Sequence, residues 1–213
     1  MVFRKPPKSA WKLPLLWGVA DRHQAGVPVF LPAMIVRENE MSASELAGIL
    51  SVILSARRAA GTIIFLNLGS DRDEALRKLD LALEFGCHGV QLPERSLTVA
   101  DVRRRSDRTI RIGRSVHPAA GSVETEGETP DFFLAAPVFE TVGKPNAAPI
   151  GLGPLAKFCE ASPVPVIGLG GITPERAWSV LDAGASAIAV RQGIFRASDP
   201  ANAVRSYLLA LGV

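Results

Sequence analysis

Cysteine is scarce in this sequence, with Cys87 and Cys159 the two among 213 residues, and neither belongs to a CxxC motif. This spacing indicates neither a zinc site nor a disulfide framework, and we expect both side chains to be buried packing residues. Apolar runs long enough for a transmembrane helix are also lacking. The basic N-terminus has a short apolar part that Pro14 interrupts and no small-residue cleavage site, so we expect a cytoplasmic protein.

Tyrosine and net charge are also low, at one tyrosine and a net charge of +3. One basic cluster stands out, and its members are Arg103, Arg104, Arg105, Arg108, Arg111 and Arg114. Because no aromatic residue is interleaved with these arginines, the pattern favours a solvated helix face or a rim that attracts anionic substrates. We therefore expect no nucleic-acid partner and no membrane partner.

Apolar residues are plentiful at 47%, which predicts a packed globular protein, and the length fits one domain over residues 1–213. Eight strands are predicted, at 15–20, 33–37, 62–67, 89–92, 109–113, 132–136, 165–169 and 187–190. Helical patterns lie between them, at 43–60, 72–85, 99–105, 152–160, 174–182 and 201–211. Alternating strands and helices require a parallel sheet, and eight strands favour an α/β fold that closes as a single (β/α)8 TIM barrel.

Two crossovers of this barrel are predicted to be defective. Residues 23–31 after the first strand are too few and too poor in helical pattern for a full helix. Residues 118–130 after the fifth strand are rich in Gly, Pro, Thr and Glu. We therefore expect shortened or missing helices after strands 1 and 5.

Glycine turns follow the last two predicted strands, at Gly170-Gly171 and at Arg191-Gln192-Gly193. Between them, Thr173 is a good N-cap, Pro174 suits the first helical position, and Gly184 is placed to end the helix in a left-handed conformation. In a (β/α)8 barrel, the loops after strands seven and eight commonly bind phosphate through backbone amides. The alternative, that these glycines only form tight turns, remains open from the residues alone.

Six motifs in order resemble the superfamily of thiamine phosphate synthase and TenI. They are WGVADR at 17–22, VREN at 36–39, DLALEFGCHGVQLP at 80–93, IGRSVH at 112–117, APVFET at 136–141 and GLGGITPE at 168–175. The segments VQLP, GRSVH and VFET are more similar to TenI than to the synthase. The resemblance implies a cytoplasmic enzyme of thiamine biosynthesis that binds a small phosphorylated heterocycle, and a homodimer would be typical of the family.

Three functions compete under this resemblance. A TenI-like protein would be an isomerase that tautomerises a thiazole phosphate. A thiamine phosphate synthase would be a transferase that joins thiazole phosphate to pyrimidine diphosphate and would need Mg²⁺. A non-catalytic barrel would bind such a phosphate as a regulator or carrier. The tautomerase is our first expectation, with no cofactor and no metal.

The resemblance also implies site residues. His117, just beyond strand five, is the expected proton-transferring group, since tautomerisation relocates a proton near neutral pH. Ser115 points the same way if the strand persists, and would orient the ring or substrate unless backbone satisfies its hydroxyl. Arg37 would hold a substrate carboxylate or phosphate, or instead form a rim salt bridge with Glu38 or Glu40. Thr141 and Lys144 are expected substrate contacts in the loop after strand six.

In the family, the backbone of the turns after strands seven and eight binds the substrate phosphate. The resemblance assigns this role to Gly170, Gly171, Arg191 and Gln192. Arg191 replaces the family's usual apolar residue, so that it either adds a charged contact to the phosphate or fills the site with its bulk. The synthase's metal ligands align with the segments Leu76–Leu79 and Pro93–Arg95, which supply arginine and lysine where Mg²⁺ would need oxygen ligands. We therefore expect that the diphosphate clamp has been lost.

Overall fold

The computed structural model describes residues 11–20, 30–106, 110–118, 128–142 and 147–213. Eight parallel strands close into a barrel in which each strand pairs with its neighbours in the chain and β1 pairs with β8. The strands are β1 (Leu16–Ala20), β2 (Ala33–Val36), β3 (Ile63–Asn67), β4 (Gly89–Leu92), β5 (Arg111–Val116), β6 (Phe132–Ala135), β7 (Val166–Leu169) and β8 (Ala187–Val190). The predicted (β/α)8 architecture is confirmed.

Seven helices are found in the described residues, and they cover the outside of the barrel. They are α1 (Ala43–Ala59), α2 (Arg72–Glu84), α3 (Val99–Arg105), α4 (Leu152–Ala161), α5 (Pro174–Asp182), α6 (Gln192–Phe195) and α7 (Pro200–Ala210). The sequence missed the single-turn helix α6. The crossovers predicted to be defective, at 23–31 and 118–130, lie largely outside the described residues, so the expectation of short helices there stays a prediction.

Strand alternation sorts the apolar side chains into two cores. Along each strand, successive residues face the barrel interior and the helices in turn, which is why the apolar runs are nearly continuous. The outer core lies between strands and helices and includes Leu46, Leu79 and Val180. The inner core fills the barrel itself.

Aromatic rings fill the N-terminal end of the barrel interior. Trp17, Phe65 and Phe132 contact one another with ring centroids 5.1–5.4 Å apart, and Trp11 packs on all three at 6.2–6.3 Å. The glycine at position 89 leaves room for this packing, because a Cβ there would lie 2.2 Å from the Phe65 ring. These rings close the N-terminal end of the barrel interior, so that a ligand would enter from the C-terminal end.

The arginine cluster is held by local contacts. Arg103, Arg104 and Arg105 pair with Asp131, Asp101 and Asp80 at 2.8, 2.5 and 2.7 Å. Arg111 lies over the Trp11 ring, and Arg114 donates to backbone carbonyls. Arg108 lies outside the described residues. These contacts support the expectation of no nucleic-acid surface here, and no helix within the described residues is long and apolar enough to cross a membrane.

Asp101 anchors the start of α3 and links it to α2. Its carboxylate accepts from the Thr98 amide at 3.0 Å, while the Thr98 hydroxyl accepts from the Asp101 amide, which together form a capping box. Arg72 donates twice to the same carboxylate at 3.0 Å. The Arg72 bonds, followed by those from Thr98, hold the pKa of this buried carboxyl far below its usual range.

Asp101→Asn is expected to lower the free energy of unfolding by about 1–3 kcal/mol near neutral pH. Because folding depresses this pKa, the stabilisation is complete above the unfolded-state value of about 4 and is lost as the pH falls below it. Denaturant titrations of both proteins at several pH values should therefore show a difference that shrinks in acid. Asp80→Asn, which breaks an exposed pair, is the control and should show a smaller effect at every pH; an equal effect would contradict the role of Asp101.

Candidate functional site

A cavity of about 500 Å³ opens at the C-terminal ends of the strands. This is the end of a (β/α)8 barrel at which ligands bind. Eight of the nine predicted site residues line it, namely Arg37, Ser115, His117, Thr141, Gly170, Gly171, Arg191 and Gln192. Lys144 lies outside the described residues, so its role stays a prediction.

The turn after β7 depends on two glycines in left-handed conformations. Gly170 and Gly171 have φ values of 104° and 63°, which side-chain-bearing residues rarely adopt. A Cβ on Gly171 would lie 2.3 Å from the Glu140 carbonyl oxygen, and one on Gly170 would lie 2.7 Å from Pro137. The turn therefore packs directly against the loop after β6, and its backbone can face the cavity.

Residues from α5 and α7 hold this turn in place. The Arg176 guanidinium donates to the Gly171 carbonyl at 3.1 Å and lies 4.8 Å from the centre of the Phe139 ring. The buried Tyr207 hydroxyl donates to the Ile172 carbonyl at 2.9 Å, and burial raises the pKa of Tyr207 to about 12. Both bonds go to carbonyl oxygens of the turn, so neither of them occupies a backbone amide.

The turn after β8 leads into α6. Arg191 is its N-cap residue, and its carbonyl accepts from the Ile194 and Phe195 amides. Amides in the first turn of a helix have no intrahelical acceptor, which leaves those of Gln192 and Gly193 as donors beside the cavity. Together with the β7 turn, they place backbone donors of a kind suited to an anion at this edge of the cavity.

His117 and Glu94 form a hydrogen-bonded pair at the cavity. The His117 ring follows the end of β5, as predicted, and Glu94 follows β4, the adjacent strand. Nδ1 of His117 lies 2.9 Å from Oε2 of Glu94. The two side chains are 35% and 56% exposed, so both remain within reach of a ligand and of water. A carboxylate in this position holds the ring in a fixed orientation.

Ser115 lies within β5, because the strand runs to Val116 and not to Gly113 as predicted from the sequence. Its side chain therefore faces the cavity on the same side as His117. Nε2 of Gln91, from β4, donates to its Oγ at 3.0 Å. The alternative in which the backbone satisfies the Ser115 hydroxyl is not found among the described residues.

Arg37 follows β2 and lines the cavity. No ion pair joins it to Glu38 or Glu40 in the part of the chain that the structure describes, so the rim salt bridge is not found. Burial, and then the positive charge of Arg191, lowers the pKa of Arg37. The positive charge of Arg191 thus reaches Arg37, and two guanidinium groups in one cavity lining favour an anionic ligand.

The described residues do not form the magnesium site of a synthase. The aligned segment Leu76–Leu79 lies one turn inside α2, which begins at Arg72, and none of its residues lines the cavity. Lys78 is buried and donates to the Glu38 carbonyl at 2.8 Å, while Arg77 pairs with Glu74. No group of three or more His, Cys, Asp or Glu residues gathers in the described segments. The donor set there does not fit a hard cation.

Several polar cavity residues are not predicted from the sequence, among them Asn67, Gln91 and Glu94. Asn67 ends β3, and its side-chain oxygen accepts from the Gly69 amide at 3.1 Å. The sequence places Glu94 in a lost metal site and does not pair it with His117. Their pairing could have been predicted, because Glu94 and His117 follow two adjacent parallel strands, and such residues lie side by side.

The two cysteines are free. Cys87 is buried, as expected, but Cys159 is only half-buried, because it lies near the C-terminal end of α4 beside Gly184. Burial still raises the pKa of Cys159 to about 11, so it is a thiol at neutral pH. Neither lines the cavity.

Comparisons with known proteins agree with this fold. The family model for thiamine monophosphate synthase matches residues 20–194. The thiamine-phosphate synthase of Laribacter hongkongensis is 38% identical over 60% of this chain and 61% of its own length. That of Roseiflexus castenholzii is 31% identical over 82% and 73%. The bifunctional ThiM/ThiE protein of Symbiobacterium thermophilum is 37% identical, and this chain spans only 28% of it.

Among solved structures, thiamine phosphate pyrophosphorylase from Pyrococcus furiosus has a TM-score of 0.77 over 92% of this chain and 95% of its own. At 24% identity, this likeness speaks to the fold alone. The relatives named here are synthases, which favours the synthase expectation over the tautomerase expectation. With the family model covering most of the barrel, the chain belongs to the thiamine monophosphate synthase family.

Proposed function

We propose that the cavity binds a phosphorylated thiazole and that His117 and Glu94 relocate a proton on its ring system. The observation that carries this proposal is the 2.9 Å contact between His117 Nδ1 and Glu94 Oε2 in a cavity that also holds the two glycine turns. The turns anchor the phosphate, and the pair exchanges the proton.

Phosphate binding rests on fixed backbone donors. The amides of the β7 turn and of the first turn of α6 need no rearrangement to receive an anion, because Gly170 and Gly171 already hold left-handed conformations. Arg191 and Arg37 add positive charge on the neighbouring wall. A substrate with a carboxylate as well as a phosphate, such as carboxythiazole phosphate, would place an anionic group near each region.

Proton transfer rests on the two ring nitrogens of His117. With Nδ1 held by Glu94, proton exchange with a bound heterocycle would use Nε2, the other ring nitrogen. A neutral ring can take a proton there, and the Glu94 carboxylate stabilises the imidazolium that results. The same ring can then return the proton to a second position, which completes a tautomerisation without a metal.

Thiamine-phosphate synthesis is the second candidate, and the names of the relatives favour it. The same phosphate anchor would hold thiazole phosphate, and Arg37 with Arg191 would face the diphosphate of the pyrimidine. In this family the reaction uses Mg²⁺, and the described residues do not fit that ion.

One pair of assays separates these functions. Purified protein is incubated with the carboxythiazole phosphate tautomer and EDTA, and separately with thiazole phosphate, pyrimidine diphosphate and Mg²⁺, and products are separated by chromatography. The proposal predicts isomerisation in EDTA. Thiamine phosphate formed only with Mg²⁺, and no isomerisation, would overturn it in favour of the synthase. Binding without turnover in either assay would support the non-catalytic barrel.

A further inference from the structure

Gln91 has no assigned part in the proposed function, yet it is fully buried at the floor of the cavity. Burying a primary amide is costly unless its polar atoms are hydrogen-bonded. Its Nε2 is bonded to Ser115 Oγ at 3.0 Å, but its Oε1 has no partner among the described residues. An apolar residue of similar size would avoid the cost of burying this oxygen. The presence of an amide here therefore suggests that its NH₂ group has a role.

A backbone carbonyl favours one direction of the Gln91 amide over the other. Nε2 also lies 3.5 Å from the Leu92 carbonyl oxygen, which can only accept a hydrogen bond. A reversed amide would set its own oxygen against that carbonyl oxygen and lose the attraction. The NH₂ group therefore faces both Leu92 and Ser115, and Gln91 is a donor to the serine.

The hydrogen of the Ser115 hydroxyl is therefore available for a second hydrogen bond. An oxygen that accepts from Gln91 donates its own hydrogen in another direction. Among the described residues, no acceptor for the Ser115 hydroxyl proton is found, and Ser115 lines the cavity. The hydroxyl proton can therefore reach a ligand.

Gly113 makes this contact possible. It is paired with Gln91 in the register of β4 and β5, and a Cβ on it would lie 2.1 Å from Gln91 Oε1 and 2.4 Å from the Phe132 ring. The glycine leaves the space that the amide crosses to reach Ser115, one inward position further along the strand. Gly113 thus provides the space and Gln91 provides the hydrogen bond that orients the Ser115 hydroxyl.

We infer that Gln91 is a positioning residue that directs the Ser115 hydroxyl as a hydrogen-bond donor toward the ligand. The site then favours a ligand that presents an acceptor at the cavity floor, such as an unprotonated ring nitrogen or a carboxylate oxygen, over one that presents an N–H group. This inference rests on the proposed function for the identity of the ligand, but not for the direction of the hydroxyl.

Neutron diffraction from crystals of the deuterated protein tests that direction whatever the substrate proves to be. The expected map shows both Gln91 deuterons on the nitrogen that faces Ser115 and Leu92, and the Ser115 deuteron pointing into the cavity. A Ser115 deuteron directed at a Gln91 oxygen would overturn the inference, even if the protein isomerises thiazole phosphate.

Kinetics of variants test the consequence. Gln91→Glu replaces the donor with an acceptor of the same shape, so that the serine proton turns toward residue 91; we expect kcat to fall about tenfold or more, with a smaller loss in Gln91→Leu. The double variant Gln91→Glu, Ser115→Ala should be no worse than Ser115→Ala alone, since both changes remove one interaction. Additive losses would indicate a merely structural role and would contradict the inference.

Asn202→Asp, at an exposed position of α7, is the matched amide-to-acid control and should leave kcat and KM unchanged. Thermal unfolding of each variant separates misfolding from mispositioning. If the wild-type protein turns over no thiazole phosphate, the proposed function fails, while the neutron map still decides the role of Gln91.

Discussion

Substituting alanine for His117 should reduce tautomerisation by about a hundredfold or more, because general acid–base catalysis by a positioned side chain typically contributes that much. In the proposed reaction the imidazole ring takes and returns the proton, and alanine offers neither function. Steady-state assays in EDTA with the carboxythiazole phosphate tautomer measure this loss. Binding of thiazole phosphate, followed by calorimetry, should change little, since the phosphate is held by backbone.

Glu94→Gln provides the companion measurement. It preserves the size of the side chain and one oxygen for His117 Nδ1 but removes the charge that stabilises the imidazolium, so we expect a smaller loss, about tenfold. Thermal unfolding should be nearly unchanged in both variants, because both side chains are substantially exposed. Wild-type turnover in His117→Ala would exclude this histidine from the chemistry.

Gly171→Ala should abolish most phosphate binding. The added Cβ would meet the Glu140 carbonyl oxygen at 2.3 Å and Phe139 at 2.8 Å, both of which belong to the packed loop after β6. The turn must then shift, and its amides leave their position. The loss of charge-assisted hydrogen bonds to a phosphate predicts affinity about ten- to a hundredfold weaker for thiazole phosphate, measured by calorimetry.

Gly61→Ala is the control for backbone strain. Gly61 has a similar φ, 70°, but a Cβ there would meet nothing within 4 Å, and the residue is exposed. It should lose some stability and keep full affinity for phosphate. If Gly171→Ala binds thiazole phosphate as tightly as Gly61→Ala, the β7 turn is not the phosphate anchor.

Much of this fold follows from local sequence patterns. Strands such as Gly89–Leu92 and Ala187–Val190 are predicted at their observed bounds, because each is a short, largely apolar run followed by turn or polar residues. The prediction for β5 ends three residues early, since the run Arg114-Ser115 reads as polar. Those side chains are polar because they lie at the cavity and the barrel rim. Their polarity depends on their position in the folded barrel, which a local sequence pattern does not reveal.

The site was predictable where backbone chemistry determines it. Paired glycines followed by Thr-Pro identify the β7 turn, and Gly184 has the expected left-handed conformation with a φ of 93°. The pairing of His117 with Glu94, and of Ser115 with Gln91, was not predicted, because each pair joins residues 23 or 24 positions apart. Such contacts depend on the register of β4 against β5, and a one-residue slip would separate them.

The most direct test of the central claim is to convert the carboxythiazole phosphate tautomer completely in D₂O with EDTA and to read the product by NMR. His117 is exposed enough to exchange its proton with water, so the wild-type product should carry deuterium at the newly protonated atom, and His117→Ala should form that product at no more than about a hundredth of the rate. Equal rates of deuterium incorporation by both proteins, or product formation only after Mg²⁺ is added, would contradict metal-free proton transfer by His117.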